Sequence, residues 1–225
     1  MMLHEFSSLD GDNDWFLLVD TSTHNGQLMA FNSDGVLFNK TWGKELKHDQ
    51  VLNKFFSELV NDLDLKFLKK ILCVYGPGSF TGLRVSATFC KILSLSLDHH
   101  PPIYGLSSFY SFAYQIVEEN LVNFGDDFHV FIPSIGSRTF KSSFTFDKLK
   151  QIYKEEIDLS GSKKHTLDSE DCFLISDLKI KSKKNASHFL FQAGARFEPH
   201  IQKFLYLDFY PLFLRQSEAE EKLKT

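Results

Sequence analysis

The sequence predicts an α/β fold, a mixed β-sheet with helices packed on it, built once in the first half of the chain and begun again in the second. Three observations carry this expectation. The chain opens with three short apolar runs separated by polar turns. Two further strand-like runs then alternate with segments of helical period. A second group of three strand-like runs follows a polar break at residues 123–127.

The elements can be justified in order. A strand over 15–19 runs into the polar cluster Asp20-Thr21-Ser22-Thr23. Strands over 26–31 and 36–42 follow, joined by Asn32-Ser33-Asp34-Gly35, whose Asp-Gly pair is a hairpin signal. Residues 48–62 read as a helix. There Val51, Leu52, Phe55, Phe56, Leu59, Val60 and Leu63 recur at helical spacing and form a wide apolar stripe. A buried strand over 70–75, a tight loop over 76–82 and a helix over 83–97 come next, the helix stopping before Pro101-Pro102. A strand over 103–106 and a helix over 107–122, capped by Ser107 or Ser108, complete the half. Alternation with helices makes these later strands parallel additions to an antiparallel meander.

The second half reads as strands over 128–132, 138–146 and 149–155, with Asp147-Lys148 as a two-residue turn. This meander has the order of the first, so an internal structural repeat is expected. Beyond it the signals are a polar loop at 160–164, short strands at 172–175 and 189–191, and a helix over 193–204. Lys179, Lys181, Lys183 and Lys184 read as a solvated loop in preference to a tRNA contact. Residues 1–14 read as a disordered leader and the charged tail from Ser217 as fraying. The expected lobes are 15–122 and 123–225.

Composition bounds the function. The 225 residues suffice for one large domain or two small lobes. Apolar residues at 43% and charged residues at 24% exclude collagen, mucin and wholesale disorder. A net charge of -4 and a pI near 6.1 lack the basic excess of a protein that grips nucleic acid by itself. Twenty-four Phe imply aromatic packing in the core and at an interface. Cys73, Cys90 and Cys172 are odd in number and form no CxxC, so they read as reduced core thiols. No targeting segment is visible, and no run approaches the ~18 apolar residues of a membrane span, so a cytoplasmic protein is expected.

The sharpest local feature is Gly76-Pro77-Gly78-Ser79-Phe80-Thr81-Gly82-Leu83-Arg84. Its glycines permit close backbone approach, and Ser79 or Thr81 can cap the helix that follows. The spacing is not that of a P-loop. The residues alone leave it between a structural turn and an anion or partner contact at a helix N-terminus. Asp20 reads as a local turn cap. His48 could cap its helix or touch a partner, and His99-His100 follow a helix C-terminus.

This glycine-rich stretch after a buried strand resembles the signature of the TsaB (YeaZ) family, the noncatalytic partner of the TsaD subunit that makes N6-threonylcarbamoyladenosine in tRNA. Other pieces are similar in the same order: Asp20-Thr21-Ser22-Thr23 closing the first strand, Lys47-His48 before the first helix, Pro102-Ile103-Tyr104-Gly105-Leu106-Ser107-Ser108, and Tyr210-Pro211-Leu212-Phe213-Leu214-Arg215. The likeness is good over 15–115 and sparse afterwards. Where relatives carry Asp-Ala-Arg and Glu-Val-Tyr in the second lobe, this chain reads Ser134-Ile135-Gly136-Ser137-Arg138-Thr139-Phe140, which lacks both acids.

The resemblance implies a two-lobed actin/Hsp70/sugar-kinase-like (ASKHA, RNase H-like) fold, each lobe a mixed sheet with helices. It implies a noncatalytic scaffold that binds a TsaD-like catalytic subunit and supports a TsaE-like ATPase, meeting tRNA only within the complex. Asp20 and Thr21 would be the remnant of a nucleotide site. Ser107, Ser108 and Phe112 stand where the catalytic paralogue has Asn and metal-binding His, so no catalytic residue and no metal are expected; ATP and metal belong on the partners. The first helix, through Val51, Leu52, Phe55, Phe56, Leu59 and Val60, and the helix after the glycine-rich loop are the expected partner interface. The alternatives are an independent ATP-binding kinase-like protein and a homodimer with another role.

Overall fold

The computed structural model describes residues 13–118, 125, 127–133, 139–145, 152–154, 172–174 and 201–204. The chain divides into two compact units, Met1–Ser108 with Leu190–Thr225, and Phe109–Phe189.

The first unit holds a six-stranded sheet. Strands β1 (Trp15–Asp20), β2 (Gly26–Asn32) and β3 (Gly35–Trp42) form the expected antiparallel meander. Its hairpin is fixed by Asn32, whose side-chain oxygen accepts from the backbone N–H of Asp34 and Gly35 at 3.0 and 3.1 Å. Strand β4 (Leu68–Gly76) lies parallel to β1, and β5 (Ile103–Ser107) parallel to β4. A last strand, β10 (Ile201–Phe204), pairs antiparallel with β5, giving the order β10-β5-β4-β1-β2-β3.

Helices α1 (His48–Asp62) and α2 (Phe80–Ser96) cover one face of this sheet. Alternate strand residues point at them: Trp15, Leu17 and Val19 of β1, Leu28 and Ala30 of β2, Ile71 and Cys73 of β4, and Ile103 of β5. Val51, Leu52 and Leu59 of α1 and Ala87, Cys90 and Leu93 of α2 close the core from above. The intervening residues Phe16, Leu18, Met29, Phe31, Leu72 and Val74 are buried as well. Burial on both faces explains the apolar runs at 15–19 in β1 and 71–75 in β4.

The second unit holds helix α3 (Ser108–Glu118) from Phe109 onward and a four-stranded sheet. Strands β6 (Asp127–Pro133), β7 (Thr139–Thr145) and β8 (Ile152–Lys154) pair antiparallel in sequence, and β9 (Cys172–Leu174) pairs parallel with β6. The order β8-β7-β6-β9 repeats β3-β2-β1-β4 of the first sheet, so the internal repeat is real. Phe144 packs between Phe128 and Tyr110, with ring centroids 5.5 and 5.6 Å apart.

Three expectations are corrected. The helix read over 193–204 is a strand at Ile201–Phe204, where an open sheet edge beside β5 offers hydrogen bonds that a short mixed sequence takes up as β structure. The contiguous split at 122/123 gives way to a first unit that includes Leu190–Thr225, because β10 belongs to its sheet. The leader read over 1–14 ends at a buried residue: Asp14 lies 3.4 Å from the Lys69 ammonium. The expected strand at 189–191, the loop at 160–164, the lysine run at 179–184 and the tail from Ser217 lie outside the described residues. Among the described residues no helix is long and apolar enough to cross a membrane.

Leu59 is fully buried, so Leu59→Ala is expected to lower the unfolding free energy by about 2–5 kcal/mol in urea denaturation. Val60, more than a third exposed, should lose under about 1 kcal/mol on the same change. Burial, and then the Cys73 thiol beside it, push the Cys90 thiol well above its ordinary range. An acid held protonated in the fold stabilises fully below the pH where the unfolded thiol ionises, and that contribution fades as pH rises. Stability should therefore decline above about pH 8.5, and less steeply in Cys90→Ala.

Candidate functional site

The two most distinctive motifs of the sequence meet at the ends of β1 and β4. Asp20 closes β1, and its Oδ1 accepts from the Ser22 backbone N–H at 2.9 Å and the Ser22 hydroxyl at 2.7 Å. This is the turn cap read from the sequence, and it aims the next two carbonyls at the glycine loop. The Thr21 hydroxyl donates to the Gly82 carbonyl at 2.6 Å, and the Ser79 N–H donates to the Ser22 carbonyl at 2.7 Å. A Cβ on Gly78 would sit 2.1 Å from the Ser22 carbonyl oxygen, and one on Gly82 would sit 1.9 Å from that of Thr21. Only glycine fits at either position. Gly76 adds a positive φ of 121° where the chain leaves β4.

The same loop opens α2. Ser79 is its N-cap and accepts from the Gly82 N–H at 3.3 Å, while the Leu83 N–H returns to the Ser79 carbonyl at 2.8 Å. The N–H groups of Ser79, Gly82 and Leu83 are thus bonded within the chain. Of the two readings left open by the residues, the geometry favours a structural clamp between two turns.

What the clamp leaves outward is a groove between α1 and α2. Its volume is about 640 Å³; Leu52, Asn53 and Phe56 of α1 form one wall, and Phe80, Arg84, Val85, Phe89 and Ile92 of α2 the other. Phe56 and Phe89 meet edge to face across it at 5.1 Å. The Arg84 guanidinium lies 4.7 Å from the Phe80 ring centre at one end. Ile92 in the groove wall is 61% exposed, and Leu95 of α2 and Val60 of α1 are also exposed, at 46% and 36%.

The expected interface stripe therefore divides. Val51, Leu52 and Leu59 are buried in the core, so Val51 and Leu59 have no surface to offer and Leu52 only floors the groove. Phe55 packs against Trp42 at 5.7 Å and under the Lys40 ammonium. Phe56 and Val60 remain on the outer side. Sequence reading expected apolar surface on α2 as well but did not name Phe89, Ile92 or Leu95. The signal was there, since Val85, Phe89, Ile92 and Ser96 form a second row on α2 beside the core row Leu83, Ala87, Cys90 and Ser94.

Beside the clamp, His48 begins α1 in a structural role. The Trp42 indole N–H donates to its Nδ1 at 2.8 Å, and its Nε2 lies 2.8 Å from the Thr23 carbonyl. The ring lines a recess of about 420 Å³ with His24, Lys44, Lys47, Asp49, Ser79 and Thr81. His99 and His100 bond the Leu68 and Ser94 carbonyls, which accounts for both rings structurally. Ser107 ends β5, Ser108 starts α3, and Phe112 is buried. Among the described residues no group of three or more His, Cys, Asp or Glu could hold a metal ion.

Comparison with known proteins gives one partial family match, one curated relative and several similar structures. A family model described as TsaD, tRNA N6-adenosine threonylcarbamoyltransferase, matches residues 44–124, the segment that runs from the start of α1 past α3. The tRNA threonylcarbamoyladenosine biosynthesis protein TsaB of Bacillus subtilis (strain 168) is 32% identical over 99 residues, 43% of this chain and 42% of that protein. The match thus spans less than half the length of that relative. The structure of YeaZ from Pseudomonas aeruginosa superposes with a TM-score of 0.66 at 16% identity, covering 89% of this chain and 100% of that one. A second structure, of a protein with similarity to peptidase YeaZ from the same organism, gives 0.65 at 15% identity, covering 90% and 100%. These likenesses show the fold, a mixed sheet with helices packed on it.

The clamp makes a steric prediction. Gly78→Ala and Gly82→Ala should each cost about 1–3 kcal/mol in denaturant unfolding, because the clash is with backbone. Gly43→Ala should be nearly neutral, since the nearest atoms there belong to the mobile end of Glu45.

Proposed function

We propose, from its likeness to TsaB (YeaZ) proteins, that the protein is a noncatalytic scaffold subunit in the synthesis of N6-threonylcarbamoyladenosine in tRNA. It binds a TsaD-like catalytic subunit and works with a TsaE-like ATPase in the cytoplasm. The threonylcarbamoyl transfer, the ATP and the metal reside on the partners, and tRNA is engaged only by the assembled complex. The observation that carries this reading is the apolar groove between α1 and α2, with Ile92 standing out of it, inside the segment 44–124 that matches the TsaD family model.

The role follows from the physics of that surface. Phe56, Phe89 and Ile92 sit on two helices anchored to a rigid sheet, so a partner helix meets a preformed groove and little side-chain freedom is lost on docking. Aromatic and aliphatic groups at its centre, with Asp49, Asn53 and Arg84 toward one end, match the usual anatomy of an interface: an apolar middle and a polar rim. The clamp sets where α2 begins and thereby sets the groove. On this reading the glycine motif is maintained for assembly and not for chemistry.

The test is to mix the purified chain with the TsaD-like protein of the same organism and size the product by light scattering. A one-to-one heterodimer is expected, and Ile92→Asp or Phe56→Asp should weaken it by about 30-fold or more. Depleting the protein should lower threonylcarbamoyladenosine in digested tRNA. A homodimer that ignores the TsaD-like protein, or unchanged binding by both variants, would overturn the assignment.

A further inference from the structure

We infer that His48 is a proton-sensitive latch whose neutral ring ties the first turn of α1 to the end of β3 and to the Thr23 loop, and whose protonation releases that tie. The inference does not depend on the function proposed above.

An indole offers only a donor, so Nδ1 of His48, 2.8 Å from the Trp42 nitrogen, must present its lone pair. That assigns the proton to Nε2, where the Thr23 carbonyl accepts it at 2.8 Å. A second proton, on Nδ1, would face the indole N–H. Trp42 has no room to turn aside. Its ring is buried, meets Phe55 at 5.7 Å, and covers Gly26 so closely that a Cβ there would fall 2.0 Å from it. His48 also opens α1, where the positive end of the helix disfavours a cation.

The charged and titratable neighbours can be named element by element. Lys44 and Lys47, from the segment joining β3 to α1, add to the cost of an imidazolium, and His24 on the β1–β2 loop adds to it when charged. Asp49 on α1 opposes it. The residues contributed by α2, Ser79, Thr81, Gly82 and Val85, carry no charge. A bond that requires the neutral ring stabilises the fold above the pH at which an ordinary imidazole titrates, about 6.5, and is lost as pH falls below it. Release matters because α1 walls both the recess and the groove. Thr23 also follows Ser22, whose carbonyl holds the Ser79 N–H.

Nitrogen-labelled full-length protein tests this by NMR. The chain has two tryptophans and hence two indole N–H signals, which Trp42→Phe assigns. As the pH is lowered from about 7.5 to about 4.5 the Trp42 signal should move and broaden below about pH 6.5, while that of Trp15, bonded to the Asp64 carbonyl, stays in place. Exchange of the Val51 amide, bonded to the Lys47 carbonyl at 3.1 Å, should rise about tenfold after correction for intrinsic rate. His48→Gln keeps a donor and an acceptor without titrating and should abolish both changes. A Trp42 signal indifferent to pH, or one that moves equally in His48→Gln, overturns the latch. Should that variant fail to fold, the ring-nitrogen shifts of wild-type His48 decide: the Nε2–H tautomer at neutral pH supports the latch, and the Nδ1–H tautomer or a ring already charged there refutes it.

Discussion

Two carbonyl oxygens, those of Thr21 and Ser22, lie where the Cβ atoms of Gly82 and Gly78 would have to be. That contact is between backbones, so neither side can yield by changing a rotamer, and it fixes the start of α2 relative to the end of β1. The hydrogen bonds from Thr21 Oγ1 to the Gly82 carbonyl and from the Ser79 N–H to the Ser22 carbonyl hold the two turns at this distance. Because β1 sits inside the sheet, between β4 and β2, the clamp references α2 to a strand buried along its whole length. The direction of α2, and with it the second wall of the groove, is inherited from this arrangement.

The first wall is set differently. Helix α1 has no side-chain cap at Lys47, and its position comes from packing and from His48. Val51, Leu52 and Leu59 seat it on the sheet, and the Trp42–His48–Thr23 chain of hydrogen bonds pins its first turn. Lys40 adds an ion pair to Glu58 at 3.0 Å while its ammonium also faces the rings of Phe38 and Phe55. Both partners of that pair are well exposed, so it contributes little beside the core contacts. One wall of the groove is therefore held by backbone sterics and the other by side chains, one of which can be titrated.

The first half of the fold was legible because its signals are local. Period-two and period-3.6 patterns, the Asp34-Gly35 turn and the prolines at 101 and 102 each act over a few residues, and α1 appears at the expected bounds of 48–62. The repeated meander was legible for the same reason, although its topology had to be seen in the order β8-β7-β6-β9. Strand β10 was not, because four residues carry no usable period and their state is decided by the edge of β5, about a hundred positions away in sequence. Asp14 was read as part of a loose leader because nothing in its neighbourhood announces Lys69.

The site divides along the same line. From the sequence by itself came the glycine motif, the Asp20 turn, the apolar stripe on α1 and the family resemblance, all of which are properties of contiguous residues. Only the tertiary structure decided that the motif closes on the Thr21-Ser22 turn, that Val51 and Leu59 belong to the core while Phe56 and Val60 face outward, and that Phe89, Ile92 and Leu95 complete the surface. A helical stripe records that a face is apolar. Which part of that face meets its own sheet and which part meets solvent depends on how neighbouring helices are set on the sheet, and that is fixed by contacts between residues far apart in the chain.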